Sequence, residues 1–270
     1  RKLARELTAI EDGISKAQVG SGPIIAITGP PGIGKSCLID SILNRIVPKL
    51  KVAVLAVDPT SPVSGGALLG DRVRFQVLDD ENKVDSIYIR SVATRSSGGS
   101  IPSIVQDLAS HLLANGFELV ILETVGAGQS EMRCAAVADR IVVVEGPARG
   151  DSIQAEKAGL LELADLIVVN KSDLDGSEKV FNDLKISLSL TGDAPEIIKT
   201  SNKTGEGIDD LSHLILNIDE RPSSKKAKSR QKLLMLHEQK LVSNPKFEAV
   251  LDRISQEGLS IQDALRELNE

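Results

Sequence analysis

The octapeptide Gly29-Pro30-Pro31-Gly32-Ile33-Gly34-Lys35-Ser36 restricts this chain more than any other stretch. It satisfies the spacing G-x-x-x-x-G-K-[ST], in which backbone N–H groups wrap a polyphosphate and the lysine neutralises its outer charges. The pattern carries meaning only between a strand and a helix. Both flanks comply: Ile24-Ile25-Ala26-Ile27-Thr28 reads as a buried strand, and Leu38, Ile39, Ile42, Leu43 and Ile46 recur at helical spacing behind the loop. Gly29 and Gly34 supply unusual backbone angles and close approach. The candidate phosphate contacts are Gly29, Pro31, Gly32, Ile33, Gly34, Lys35, Ser36 and Cys37, with the Ser36 hydroxyl placed for Mg²⁺.

Apolar runs at 52–57, 87–89, 119–122, 141–144, 166–169 and 196–200 read as further strands, with helical stretches interleaved among them. That alternation predicts an α/β fold with a mostly parallel sheet flanked by helices. Ligands of such sheets gather at the carboxyl ends of the strands. Asp58 stands at one such end, and Asp71 closes the Gly-rich loop behind it. Both are candidates for Mg²⁺ or its water shell, although Asp58 also suits a turn and Asp71 a helix N-cap. Glu123-Thr124-Val125-Gly126 places an acid at a strand end and a glycine three residues on. In phosphate-loop enzymes the acid holds Mg²⁺ and the glycine amide senses the γ-phosphate. Here Glu replaces the usual Asp. Its longer side chain leaves three roles open: direct metal binding, binding through water, or action as a base. A buried carboxylate paired with an arginine is the structural alternative. Lys35, Glu123 and Asp58 are the candidate catalytic residues.

Asn170-Lys171-Ser172-Asp173 fits N-K-x-D at the end of another buried strand. A carboxylate there accepts hydrogen bonds from guanine N1–H and N2–H₂. Adenine lacks both donors, and a polar mismatch of that kind discriminates by roughly 10⁴-fold. Asn170 can brace the base or the loop, and the Lys171 stem can cover the ring. Ser201 and Asn202 follow the last strand, where a second loop reaches the guanine carbonyl through backbone N–H. A GTP or GDP ligand with Mg²⁺ is the expectation.

Composition narrows the partners. Aromatic residues are 2% of the chain, with no Trp, so stacking platforms for single-stranded nucleic acid are not expected. A net charge of −6 without a dominant basic stripe points the same way. Cys37 and Cys134 form no paired motif, and no apolar run reaches membrane-spanning length. A reducing cytoplasmic location is expected, or the mitochondrial matrix in a eukaryote. The chain starts at Arg1 rather than Met, which leaves open a preceding segment or targeting peptide.

The predicted organisation is an N-terminal helical segment over 1–20, a phosphate-loop domain over 21–220 and a C-terminal helical arm over 221–270. Leu3, Leu7, Ile10 and Ile14 predict one amphipathic helix over 1–17. Lys225, Lys226, Lys228, Arg230 and Lys232 read as a solvated face of the arm's first helix, which also carries Leu233, Leu234, Leu236 and Leu241. An arm of this kind needs the main domain or another subunit to cover its apolar face.

The linking sequence narrows the family. Val57-Asp58-Pro59-Thr60-Ser61, the 65–71 run ending in Gly70-Asp71, and the run from Glu123 through Gly126-Ala127-Gly128-Gln129 to Glu131 resemble the MeaB/ArgK family, the methylmalonyl-CoA mutase-associated GTPases. Gly150-Asp151 with Gln154, Lys157 and Gly159, then Glu162-Leu163-Ala164-Asp165, extends the resemblance, which covers roughly 20–220. It implies a GTPase serving as chaperone to an adenosylcobalamin-dependent acyl-CoA mutase. Asp58, Asp71 and Glu123 would surround the metal, Asn170, Lys171, Asp173, Ser201 and Asn202 would contact guanine, and the 146–157 loop would relay nucleotide state. The arm would mediate homodimerisation. Three features depart from the family pattern: Cys37 where Thr is usual, a 90–99 segment without its Pro-rich wording, and Asn202 where Ala is usual.

Ala127 follows Gly126, so no water-positioning Gln stands there, and no arginine finger is evident beyond Arg95 or Arg149 as candidates. Slow intrinsic hydrolysis accelerated by a partner is the expectation. The rival readings are a GTP-dependent metallochaperone, a protein kinase and a GTP-binding switch with negligible turnover.

Overall fold

The computed structural model describes residues 2–59, 75–94, 101–124, 137–147, 155–189 and 192–269. Its strands are β1 (Ile24–Thr28), β2 (Val52–Pro59), β3 (Ile87–Thr94), β4 (Leu119–Thr124), β5 (Arg140–Glu145), β6 (Leu166–Asn170) and β7 (Glu196–Thr200). They pair in parallel in the order β3-β2-β4-β1-β5-β6-β7. β1, which feeds the phosphate loop, therefore sits at the centre, with β4 on one side and β5 on the other. The strand order reverses direction around β1, and crevices at such reversals hold ligands in open α/β sheets.

The described helices are α1 (Lys2–Glu11), α2 (Lys35–Ile46), α3 (Ile101–Ala114), α4 (Ala155–Leu163), α5 (Ser177–Ser189), α6 (Ile208–Asn217), α7 (Pro222–Val242), α8 (Phe247–Glu257) and α9 (Ile261–Asn269). Two cores form because the sheet is buried on both faces. Ile25 and Ile27 of β1 face Leu38, Ile42 and Ile46 of α2 and Leu211 and Ile215 of α6. Ile24 and Ala26 join the opposite core, with Leu7 of α1, Leu108 and Leu112 of α3 and Leu184 of α5. With so few aromatic rings, aliphatic side chains supply nearly all of this packing.

Two sequence expectations are corrected here. The predicted 1–17 helix ends at Glu11. Gly13 adopts φ 69°, and the Gly13 and Ile14 N–H groups turn back to the carbonyls of Ile10 and Ala9, a left-handed helix stop that leaves Ile14 exposed. The basic cluster is not uniformly solvated either. Lys228 is buried, and its Nζ donates to Asp165 Oδ2 at 3.1 Å and to the Asp139 carbonyl at 2.6 Å, and pairs with Glu220 Oε1 at 2.9 Å. Together with buried Ser224 and Met235 it forms the buried side of α7, a helix that packs on α4. The leucines counted as the arm's apolar face, Leu233, Leu234 and Leu236, remain exposed instead. Among the described residues no helix is long and apolar enough to cross a membrane.

Candidate nucleotide site

The phosphate loop joins β1 to α2 under strict steric limits. Gly29 has φ 144°, and a Cβ there would lie 2.1 Å from the Val144 carbonyl oxygen of β5. Gly34 has φ 101°, and a Cβ there would lie 2.7 Å from Asn170 Nδ2. Both positions therefore require glycine because other backbone or side-chain atoms occupy the space a Cβ needs. Lys35 opens α2 and is 6% exposed. Its Nζ donates to the Gly29 carbonyl at 2.6 Å and the Pro30 carbonyl at 2.9 Å, which folds the side chain over its own loop.

The Ser36 hydroxyl donates to Glu123 Oε1 at 2.5 Å. This joins the end of β4 to the first turn of α2. Behind it, the buried Thr124 hydroxyl donates to Thr28 Oγ1 at 2.7 Å. Glu123 is itself buried, and its described contact is a hydroxyl at the phosphate loop. Among the described residues no cluster of three His, Cys, Asp or Glu side chains gathers. A serine hydroxyl beside a carboxylate is a hard oxygen pair, which suits Mg²⁺, an ion that keeps waters and phosphate oxygens as its remaining ligands.

The third element of the site comes from β6. Asn170 Nδ2 donates to the Ile33 carbonyl at 2.9 Å, while its Oδ1 accepts from the Thr200 hydroxyl at 3.1 Å. Lys171 holds φ 60°, uncommon for a residue other than glycine, and its Nζ donates to the Gly32 carbonyl at 2.8 Å. Both residues are thus strapped to the phosphate loop. The Ser201 hydroxyl donates to Asp173 Oδ1 at 2.6 Å. That bond, with the nearby Lys203 and Lys171 charges, holds the Asp173 carboxyl below its ordinary range. Ser172 Oγ also donates to Glu206 Oε2 at 2.8 Å, so two bonds join the loop after β6 to the loop after β7.

The Asn202 side chain, for which the sequence suggested no role, turns away from the base loop. Nδ2 donates to the Cys37 carbonyl at 2.7 Å and to Ser41 Oγ at 2.8 Å, so the amide is directed at α2. Cys37 is an exposed, free cysteine. One edge of the sheet therefore unites Gly29, Pro31, Gly32, Ile33, Gly34, Lys35, Ser36, Cys37, Glu123, Asn170, Lys171, Asp173, Ser201 and Asn202. Asp58 lies near the end of β2, in register with Ala93. Its side chain, along with Asp71, Gly126, Arg95, Arg149 and the greater part of the 146–157 loop, lies outside the described residues. Sequence reasoning missed Thr28, Thr124 and Glu206. The two threonines stand at strand ends, a position that gave a signal; Glu206 belongs to no pattern and is found only through its contact.

The family described as methylmalonyl-CoA mutase-associated GTPase MeaB matches residues 4–257. This chain belongs to the MeaB family of GTPases. A Pyrococcus horikoshii protein with a provisional GTPase name is 41% identical over 228 residues, 78% of this chain and 71% of its own. GTPase ArgK of Escherichia coli is 35% identical over 202 residues, covering 72% of this chain and 60% of that one. The Geobacillus kaustophilus fused isobutyryl-CoA mutase is 41% identical over 159 residues, 58% of this chain and 14% of its own length. Among solved structures, the LAO/AO transport system kinase superposes with a TM-score of 0.60 at 25% identity, covering 98% of this MeaB-family chain and 85% of its own. Nickel-bound HypB of Helicobacter pylori shares the fold at a TM-score of 0.51 and 16% identity, covering 80% and 92%.

Proposed function

We propose that this MeaB-family GTPase is Mg²⁺-dependent and acts as a nucleotide-gated chaperone for an adenosylcobalamin-dependent acyl-CoA mutase. One observation carries the guanine assignment: Asp173, oriented by Ser201, stands on a loop whose Asn170 and Lys171 are tied directly to the phosphate loop. Base and phosphate recognition then form one rigid unit. The reaction is GTP + H₂O → GDP + phosphate. The amides of Gly29, Gly32, Ile33, Gly34 and Cys37 and the Lys35 ammonium would stabilise charge on the transferring phosphoryl group, while Pro31, which has no N–H, would only line the loop. Ser36 and Glu123, with Asp58 and Asp71, would hold Mg²⁺, which neutralises charge on the outer phosphate oxygens. Lys35 would exchange the Gly29 and Pro30 carbonyls for phosphate oxygens. Gly126 would sense the γ-phosphate. Asp173 would accept from guanine N1–H and N2–H₂, while the Ser201–Asn202 backbone meets the guanine carbonyl.

Relatives support the partner. One is a single chain named as a fused isobutyryl-CoA mutase, and a mouse relative, 34% identical over 196 residues, is named a mitochondrial methylmalonic aciduria type A homologue. The exposed leucines of α7 support homodimerisation through the 221–270 arm. Single-turnover hydrolysis with and without the mutase tests the gating. Turnover should be slow alone and faster with the partner, and mutase affinity should differ between GDP and a non-hydrolysable GTP analogue. Equal rates and equal affinities in all arms would sink the chaperone reading.

A further inference from the structure

The hydrogen bonds around the site form a closed circuit. The Gly32 and Ile33 carbonyls accept from Lys171 and Asn170. Two residues on, Asp173 accepts from Ser201. Next to Ser201, Asn202 donates to Cys37 and Ser41 of α2, the helix that opens at Lys35 directly behind the phosphate loop. Every link but the last belongs to a residue that the nucleotide motifs already name. The Asn202 side chain is the added link, and its chemistry is specific. Its two amide hydrogens meet two oxygen acceptors, a combination that neither an aspartate nor a methyl group can reproduce.

We infer that Asn202 is a positioning residue that sets how long the protein keeps its guanine nucleotide. The inference rests on the proposed function, since it assumes that the Ser201–Asn202 backbone meets the guanine carbonyl. A loop with such a contact holds the base only while the loop itself is held. On its far side the 201–207 loop is tied through Ser201 to Asp173 and through Glu206 to Ser172, which share the loop after β6. Those bonds let the two base loops move together. Asn202 adds a tie to α2 beside those that Asn170 and Lys171 make to the phosphate loop. Without it, the 201–207 loop is held only through the loop after β6, and the guanine-carbonyl side can open while the phosphate loop stays intact. Release of guanine nucleotide should quicken. Asn202 is exposed, so its replacement removes no core packing.

The test is stopped-flow release of fluorescent GDP from the full chain, with the parent, Asn202→Ala, Asn202→Asp and Ser41→Ala compared. The probes are GDP, ADP and 2-aminopurine riboside diphosphate, which lacks the carbonyl at position 6 together with the N1–H beside it and keeps the 2-amino group. Loss of two neutral hydrogen bonds should speed GDP release from Asn202→Ala by roughly 5- to 30-fold. Asn202→Asp should release faster than the parent, because its carboxylate faces the Cys37 carbonyl, which can only accept, and Ser41→Ala should fall between parent and Asn202→Ala. Release of the carbonyl-free analogue should be the same from parent and Asn202→Ala, which a general weakening of the fold would not produce. A GDP release rate within twofold of the parent in Asn202→Ala overturns the inference alone. So does equal acceleration of the carbonyl-free analogue. A parent that keeps ADP as long as GDP overturns the proposed function and this inference with it.

Discussion

The two edges of the sheet use similar side chains to opposite ends. At the carboxyl edge, Lys35 rests on two carbonyls of its own loop and Glu123 on a serine hydroxyl. At the amino edge, Asp165 is a saturated hub. Its Oδ2 accepts from the Ile141 N–H at 2.9 Å and from Lys228 Nζ at 3.1 Å, and its Oδ1 accepts from the Arg221 N–H at 3.1 Å and from the Ser224 hydroxyl. The contacts of Lys35 and Ser36 are with groups that a polyphosphate and a cation can replace. Those of Asp165 bind the start of α7 to β5 and β6, which no ligand needs to disturb. A buried charge at the first edge awaits exchange; at the second it anchors the arm.

The comparison predicts separable effects, and the largest lies at the amino edge. Lys228→Met leaves Asp165 buried without its cation and should cost about 3–5 kcal/mol of stability in a denaturant titration, with GDP affinity unchanged. Adding Asp165→Asn should restore part of the loss. If the single substitution weakened GDP binding as much as stability, the two edges would be coupled and the contrast would fail.

At the carboxyl edge, Lys35→Ala should lower hydrolysis by roughly 10²–10³-fold, by analogy with the loss of one transition-state donor, with little change in melting temperature. Normal single-turnover rates in that variant would remove the phosphate loop from the chemistry. Asp173→Asn comes next. It exchanges a charged acceptor for an amide and should weaken GDP binding roughly 10- to 100-fold by calorimetry while ADP binding barely changes.

The smallest effect is an expected constancy. The Ser201 hydroxyl holds Asp173 below its ordinary value of 3.8, so in the folded chain the carboxylate stays ionised. Its contribution is complete above the unfolded value and is lost only as pH falls through the lower folded one. GDP affinity should therefore be flat from about pH 8 to pH 5, once the nucleotide's own ionisation is allowed for. A decline centred near pH 6 would show that a different group reads the base.

Much of the site was legible because its parts are local. A strand, a glycine loop and a helix are consecutive in the chain, so the spacing of Gly29, Gly34, Lys35 and Ser36 already implies their geometry. Glu123 and Asp173 stand at the ends of apolar runs, and a parallel sheet carries all such ends to one edge. Helix ends and charged faces were less legible. The apolar repeat continued to Ile14, yet the chain stopped α1 at Glu11 because Gly13 took a left-handed turn. Lys228 reads like its exposed neighbours Lys225 and Lys226, and only the approach of α7 to Asp165 distinguishes it.

The sequence alone determined the α/β class and the phosphate loop and pointed to guanine, since each rests on residues near one another in the chain or on a strand's length and polarity. Tertiary structure alone decided that Asn202 faces α2, that Asn170 and Lys171 brace the phosphate loop, and that Lys228 is an anchor. Those contacts join residues far apart in the chain, and a side chain that can equally face water or a partner shows its choice only when the partner is brought within hydrogen-bond distance.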